Sequence, residues 1–274
     1  MHVAITDFSS YKAAVVAKFL RASYPDIVIT SLDCRWYTKF LRSRHSDHHI
    51  VVEAGDFSDP RYVEQIIDIV ADRKIDILLP INSQELGVLL AERSRFGGAL
   101  DYWGNLSDYT RLHDKALFYE MLQLFELPAP ALFRNINEVQ LPLVAKPTTG
   151  SSSKGVRYIC TDEGLRTLKG YLKEGGEGYV FQEYVDGVGV GYSGYFHEGK
   201  ILEGYGHRRL AEYPVSGGSS VYRGALEQEQ QDKLRVLVEK LLQITCWSGF
   251  CMLAFKDTST GWYAFIVSNP RIWV

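Results

Sequence analysis

The sequence predicts an α/β domain built on a parallel sheet, followed by an α+β region of antiparallel character. Two observations carry this. Through about residue 110, short apolar runs alternate with segments of helical spacing; from Asp114 onward, strand-like runs and turns follow one another, with glycines between or at their ends. Strand–helix alternation favours a parallel sheet covered by helices, whereas runs of successive strands favour antiparallel pairing.

Residues 2–7 form a short apolar run that reads as a first strand, without the basic region and long apolar stretch of a signal peptide. Residues 11–20 place Ala13, Val16, Phe19 and Leu20 at helical spacing. Residues 27–32, rich in β-branched side chains, and 49–52 read as the next strands. Asp59-Pro60 is an N-cap followed by proline at the first helical position, and Val63, Ile66, Ile67 and Val70 share one face of the helix it opens. Residues 75–81 form a continuous buried strand. In such sheets ligands bind beyond the carboxyl ends of the strands.

A helix is predicted over 114–127, with Leu117, Met121, Leu124 and Phe125 on one stripe and Pro128 and Pro130 closing it. Strands follow over 141–146, 156–160, 179–185, 191–196 and 201–207. A long amphipathic helix covers 229–244, where Leu234, Leu237, Val238, Leu241 and Leu242 recur at i, i+3, i+4, i+7 and i+8. Two last strands, 250–256 and 262–267, flank the turn at 257–261.

Composition narrows the function. The chain has 274 residues, 46% hydrophobic and 23% charged, with a net charge of −3. That supplies a core but not the basic footprint of a nucleic-acid binder. No apolar run reaches the roughly 18–20 residues of a membrane span, so a cytoplasmic protein is expected. Cys34, Cys160, Cys246 and Cys251 lack C-x-x-C spacing and read as mostly buried thiols in a reducing compartment. Arg42, Arg44, His45, His48 and His49, with Asp47, read as a solvated loop over the sheet rather than a metal site.

Four segments carry chemistry. The first, 146–156 (KPTTGSSSKGV), lies between two strands: small residues let backbone N–H groups approach phosphate oxygens, Ser151, Ser152 and Ser153 add hydroxyl donors, and Lys146 supplies a point charge. It is not a Walker A loop, because a strand rather than a helix follows. The second, 181–187 (FQEYVDG), leaves a sheet extended and can offer a C=O and N–H in line to an adenine edge. The third, 206–220, sets His207, Arg208 and Arg209 beside a Gly/Ser loop with Ser216, Gly217 and Gly218, a pattern suited to an anionic or acyl-phosphate ligand, with Arg223 nearby. The fourth joins 252–256 (MLAFK) to 268–273 (SNPRIW). Residues 189–194 satisfy G-x-G-x-x-G formally. They alternate like a strand and are rejected as a dinucleotide site.

In this order and at these separations, the segments resemble the ATP-grasp superfamily, more narrowly its carbamoyl-phosphate-synthetase-like carboxylate–amine ligases. His113-Asp114-Lys115 is similar to the motif that opens the grasp domain, Lys146-Pro147 to that of the second nucleotide lysine, Glu183-Tyr184-Val185 with Gly187 to the adenine hinge, 207–218 to a segment particular to this branch, and Asn269-Pro270-Arg271 to the closing motif. The resemblance implies a pre-ATP-grasp α/β domain over 1–110 and two ATP-grasp lobes over 111–186 and 187–274. Further helical material would normally follow, so the second lobe is expected to be shortened at its C-terminus. It implies ATP and Mg2+ as cofactors, with Lys115 and Lys146 on the phosphates, Gly155 in the phosphate loop and Glu183 to Val185 facing adenine. Asn269 and Arg271 would be catalytic, Asn269 also as a metal ligand. A small carboxylate would attack the γ-phosphate to give an acyl phosphate, which an amine then displaces.

The sequence departs from that pattern at two positions. Where the family carries magnesium-holding glutamates, this chain has Ala254 and Val267; only Asn269 remains. Magnesium wants octahedral oxygen ligands, usually including one or two carboxylates. The readings left open are a degenerate scaffold that binds nucleotide or a partner without catalysis, substitution by the nearby acids Glu203 or Asp257, and an altered or incomplete chain.

Overall fold

The computed structural model describes residues 1–35, 43–150, 153–172, 178–213 and 219–273. The protein is mixed α/β, and among the described residues it has one parallel sheet and two antiparallel sheets. The chain forms two compact units: residues 1–109 with 247–250 and 270–274, and residues 110–246 with 251–269.

The first unit contains β1 (His2–Ile5), α1 (Tyr11–Ser23), β2 (Val28–Asp33), β3 (His48–Val51), α2 (Arg61–Arg73), β4 (Ile77–Leu79), α3 (Ser83–Ala91), a 3-10 turn (Arg93–Phe96) and the start of α4 (Leu106–His113). Its strands run parallel in the order β3-β2-β1-β4, with Val3 opposite both Ile29 and Ile77. Val3, Ile5, Ile29, Leu32 and Leu78 are all buried, because a parallel sheet covered on both faces leaves no polar alternation. Asp59 behaves as a cap: its carboxylate accepts the Arg61 N–H at 3.0 Å while Pro60 is already in the αR region. The face expected for α1 holds at Ala13 and fails at Phe19. Ala13 and Ala17 are its buried positions, and Phe19 is 62% exposed. Trp103 packs on Trp247 and Phe250, ring centroids 6.4 and 6.0 Å away, and the Gly104 N–H donates to the Ser248 carbonyl at 2.7 Å.

The second unit holds α5 (Lys115–Leu124), β5 (Leu132–Phe133), β6 (Leu143–Pro147), β7 (Arg157–Ile159), α6 (Asp162–Tyr171), β8 (Tyr179–Glu183), β9 (Val188–His197), β10 (Lys200–Tyr213), β11 (Ser219–Ala225), α7 (Gln228–Thr245), most of β12 (Gly249–Asp257) and β13 (Tyr263–Asn269). One sheet has the order β5-β8-β6-β7 and the other β11-β10-β9-β12-β13. Ile136, Leu143, Ala145, Leu168 and Phe181 form the core under the first. Helix α7 covers β9 and β10 with Leu234, Val238, Leu241 and Leu242 buried.

Two expectations fail here for physical reasons. The α5 stripe holds only at Met121: Leu117, Leu124 and Phe125 are 39%, 75% and 49% exposed, while Lys115, Phe118, Tyr119 and Leu122 join Met121 on the buried face. Apolar residues ring this helix, so spacing alone does not select the face; the T-shaped contact of Phe118 with Phe265 at 6.2 Å does. The strand expected to end at 207 continues through Tyr213 and pairs with β11, which, like α3, α4 and α6, the spacing does not predict. Cysteines differ as well. All four are free, but Cys160 and Cys246 are exposed.

The G-x-G-x-x-G stretch lies within β9, as its alternation predicts. Gly191 is required there because a Cβ would fall 2.5 Å from Cε1 of the buried His207 ring. Gly191→Ala is expected to destabilise the protein by about 1–3 kcal/mol through overpacking. A lower urea midpoint at unchanged slope would report this, and an unchanged midpoint would show that the ring moves aside freely.

Candidate functional site

The second unit brings Lys115 and Lys146 together from different elements. Asp114 caps α5, its Oδ1 accepting the N–H groups of Ala116 and Leu117 at 2.8 and 3.1 Å, which fixes Lys115 at the first helical position. The Lys115 Nζ donates to the Gly150 carbonyl at 3.2 Å, and its N–H donates to the Thr148 carbonyl at 2.8 Å. Lys146, on β6, is 5% exposed and donates to Tyr119 Oη at 3.3 Å and to the Ile266 carbonyl at 3.2 Å. Tyr119 in turn donates to that same carbonyl at 2.6 Å. One lysine therefore bridges the two antiparallel sheets, from β6 to β13.

Charge at this point is one-sided. Burial first, and then the neighbouring cations Lys115, Arg209 and Lys256, together push the Lys146 ammonium down to about 7. Lys115 is also lowered by burial, with Asp114 opposing. Its neighbours on β10 follow alternation. His207 and Arg209 share one face, and Arg223 lies directly across from Arg209 on β11. Arg208 alternates to the other face and reaches Asp257 at 3.6 Å. His207 is held at about 4 by burial and by Arg223 and Arg209, so it is neutral at physiological pH rather than the cation its sequence context suggests.

The phosphate-loop residues are partly described. Ser153 takes a positive φ of 56° and accepts the Val156 N–H at 3.2 Å. Gly155 has φ +76° and lies so close to Pro147 that a Cβ would sit 2.8 Å from its Cγ. Ser151 and Ser152, like Ser216, Gly217 and Gly218, lie outside the described residues. At the hinge, the N–H groups of Glu183 and Tyr184 donate to the carbonyls of Ala131 and Pro142 at 3.0 and 3.1 Å, and Val185 follows. The Tyr184 ring meets Tyr158 edge-on at 6.1 Å.

Ala254 and Val267 are direct cross-strand partners on β12 and β13, and Met252 faces Asn269 on the same side. Glutamates at both positions would have met across one pair of strands. Ala254 is 3% exposed. Among the described residues no cluster of three or more His, Cys, Asp or Glu side chains has a metal-binding arrangement. Arg271 belongs to the first unit, where burial lowers its pKa against the opposing effect of Tyr109, and its Nε has no hydrogen-bond partner in the protein.

No family model and no curated protein matches the chain. Solved structures do. The biotin carboxylase domain of the 2-oxoglutarate carboxylase of Hydrogenobacter thermophilus, solved with MgADP, ADP and bicarbonate, superposes with a TM-score of 0.72 at 15% identity, over 100% of this chain and 64% of that one. The L-amino acid ligase of Bacillus licheniformis gives 0.69 at 14%, over 99% and 67%. The N5-carboxyaminoimidazole ribonucleotide synthetase of Thermotoga maritima gives 0.65 at 16%, over 98% and 68%. The chain has the ATP-grasp fold. It spans about two thirds of the length of these ATP-grasp chains, 64% of the first.

Several residues of interest escaped the sequence reading. Tyr119, inside an apolar helix, carries no local signal for bonding a lysine. Lys256 does carry one: it shares with Ala254 the face of β12 set by alternation, and its Nζ donates to the Gly187 carbonyl at 2.7 Å. In the first unit, a cavity of about 290 Å3 opens at the ends of β1 and β2, lined by Asp7, Asp33, Arg35, Asn82 and Glu85. Glu85, 2% exposed, accepts from Thr6 Oγ1 at 2.6 Å and from Tyr62 Oη, and burial raises it to about 7.

Proposed function

We propose that the chain binds ATP in its second unit as an ATP-grasp protein of the carboxylate–amine ligase type, with its acyl-phosphate chemistry impaired at the metal. The supporting observation is the convergence of Lys115 and Lys146 where the two antiparallel sheets meet at the Ile266 carbonyl. In this reading residues 111–186 and 187–274 are the two lobes, with 1–110 as a preceding domain. The loop 147–156 cradles phosphates, and adenine reads the Glu183 carbonyl and the Val185 N–H, since the Glu183 and Tyr184 N–H groups are already bonded. Arg209, its Nε without a partner in the protein, and Arg223 face the anion on the β10–β11 side.

In the ligase reaction a carboxylate oxygen attacks the γ-phosphorus and the bond to the bridging oxygen of ADP breaks. An amine then adds to the acyl carbon and expels phosphate. This chain's contribution is positioning and positive charge, the main demands of phosphoryl transfer. The donor set at the metal position does not suit magnesium: a methyl and an isopropyl group stand where carboxylates are needed, leaving one neutral amide, Asn269. No step is therefore assigned to a metal. Those same two side chains favour a second reading, a non-catalytic nucleotide-binding or regulatory protein on this scaffold. A release assay for ADP and phosphate across a panel of carboxylic acids and amines separates them. Turnover at least ten times the acid-free background is expected only if catalysis survives, and Lys146→Met should abolish it. A flat panel alongside intact ATP binding would leave the non-catalytic reading.

A further inference from the structure

The unmet positive charge in the second unit points to how its ligand arrives. We propose that this site takes ATP as the metal-free anion, with Lys256 and Arg209 meeting the phosphate charge that a divalent cation would otherwise offset. This rests on the nucleotide reading and specifies the ionic form bound.

Three observations carry it. First, the facing pair Ala254 and Val267 offers no oxygen, and Asn269 beside them offers one neutral amide. Second, the nearby acids are engaged or aimed elsewhere. Glu212 pairs with Arg209 at 3.4 Å; Asp257 pairs with Arg208 at 3.6 Å and accepts from Gln230 at 3.4 Å, on the face of β12 opposite Ala254. Glu203 is exposed, opposite Tyr195 near the far end of β10. Third, the ammonium groups have uncharged acceptors: Lys115 on the Gly150 carbonyl, Lys146 on Tyr119 Oη and the Ile266 carbonyl, and Lys256 on the Gly187 carbonyl. The Arg209 Nε adds a buried donor without a protein partner.

Lys115 and Lys146 are buried on uncharged acceptors, and an anion beside them offsets the cost of holding their charge out of water. Magnesium on the nucleotide cancels half the charge of fully ionised ATP, and it would itself face these cations with no carboxylate to hold it. Metal-free ATP therefore gains attraction that the magnesium complex forfeits. Carboxylate-holding sites behave in the opposite way, because the metal bridges protein and phosphate.

Calorimetric titration of the full chain with ATP, in EDTA and in excess magnesium, tests this. The expected result is an affinity in EDTA equal to or tighter than that in magnesium, with inorganic tripolyphosphate in EDTA competing for the site. Lys256→Ala should weaken binding in EDTA about tenfold, the scale of one hydrogen bond to a charged group, with Lys256→Arg recovering most of it. Binding that requires magnesium would overturn the inference while leaving the nucleotide reading in place. Equal affinity of Lys256→Ala and the parent chain in EDTA would overturn the role of Lys256. No binding under either condition would remove the nucleotide reading itself, and the inference with it.

Discussion

Glutamates introduced together at positions 254 and 267 are expected to make nucleotide affinity magnesium-dependent, with about a tenfold or greater gain on adding the metal. The register is the reason. The two positions are cross-strand partners with Asn269 two residues along the same face, so paired carboxylates and the amide would converge from one direction. Opposite residues on an antiparallel pair lie about 4.5–5.5 Å apart at Cβ, within reach of a shared ion. Ala254→Glu alone should lower the melting temperature, because it buries a carboxylate at a position only 3% exposed with no cation ligand to share it. In the double variant, magnesium should raise that melting temperature, and the parent chain should show no such response. A double variant whose ATP affinity ignores magnesium would mean that the strand pair no longer aims at the phosphates.

Lys146→Met is expected to weaken ATP binding by roughly 10- to 150-fold, the range for a lost hydrogen bond to a charged group. The same substitution should stabilise the ligand-free protein near neutral pH, since it replaces a desolvated ammonium with an apolar chain of similar length. The sign follows from proton linkage. The Lys146 value of about 7 in the folded state lies below its ordinary 10.5, so the unfolded chain holds more protons between those limits. Stability of the parent chain should therefore rise as pH climbs through that window, with the full cost of the buried charge felt below it, and Lys146→Met should flatten this slope. Bound phosphate favours the charged lysine, so ATP binding near pH 8 should take up a proton. Calorimetry in buffers of different ionisation enthalpy reads that uptake directly. A variant that is both less stable and unchanged in affinity would mark Lys146 as structural only.

Much of this was legible in the residues, for identifiable reasons. Asp114-Lys115 is a local pattern: a capping carboxylate followed by a cation at the first helical position needs no tertiary information. The two terminal strands and α7 follow from strong periodicity. What escaped depends on partners distant in sequence. The buried face of α5 is chosen by Phe265 and Ile266, over 140 residues away, and not by the helix's own spacing. The stretch after His207 is rich in small and charged residues, which reads as a loop until β11 supplies the antiparallel partner. Alternation along that strand then separates Arg208 from Arg209, a distinction invisible while the segment is taken as irregular.

The interlacing of the two units along the chain bears on how such a scaffold could be recombined. Residues 247–250 and 270–274 lie far along the chain from residues 1–109, yet they belong to the same compact body, and Trp103 rests on two of them. A transplant cut once near residue 110 would carry a bare indole face on one piece and orphaned tryptophan and phenylalanine rings on the other. Exchange of the nucleotide-handling body between relatives would need splice points on both sides of each returning segment, so the two bodies are inherited together more easily than apart.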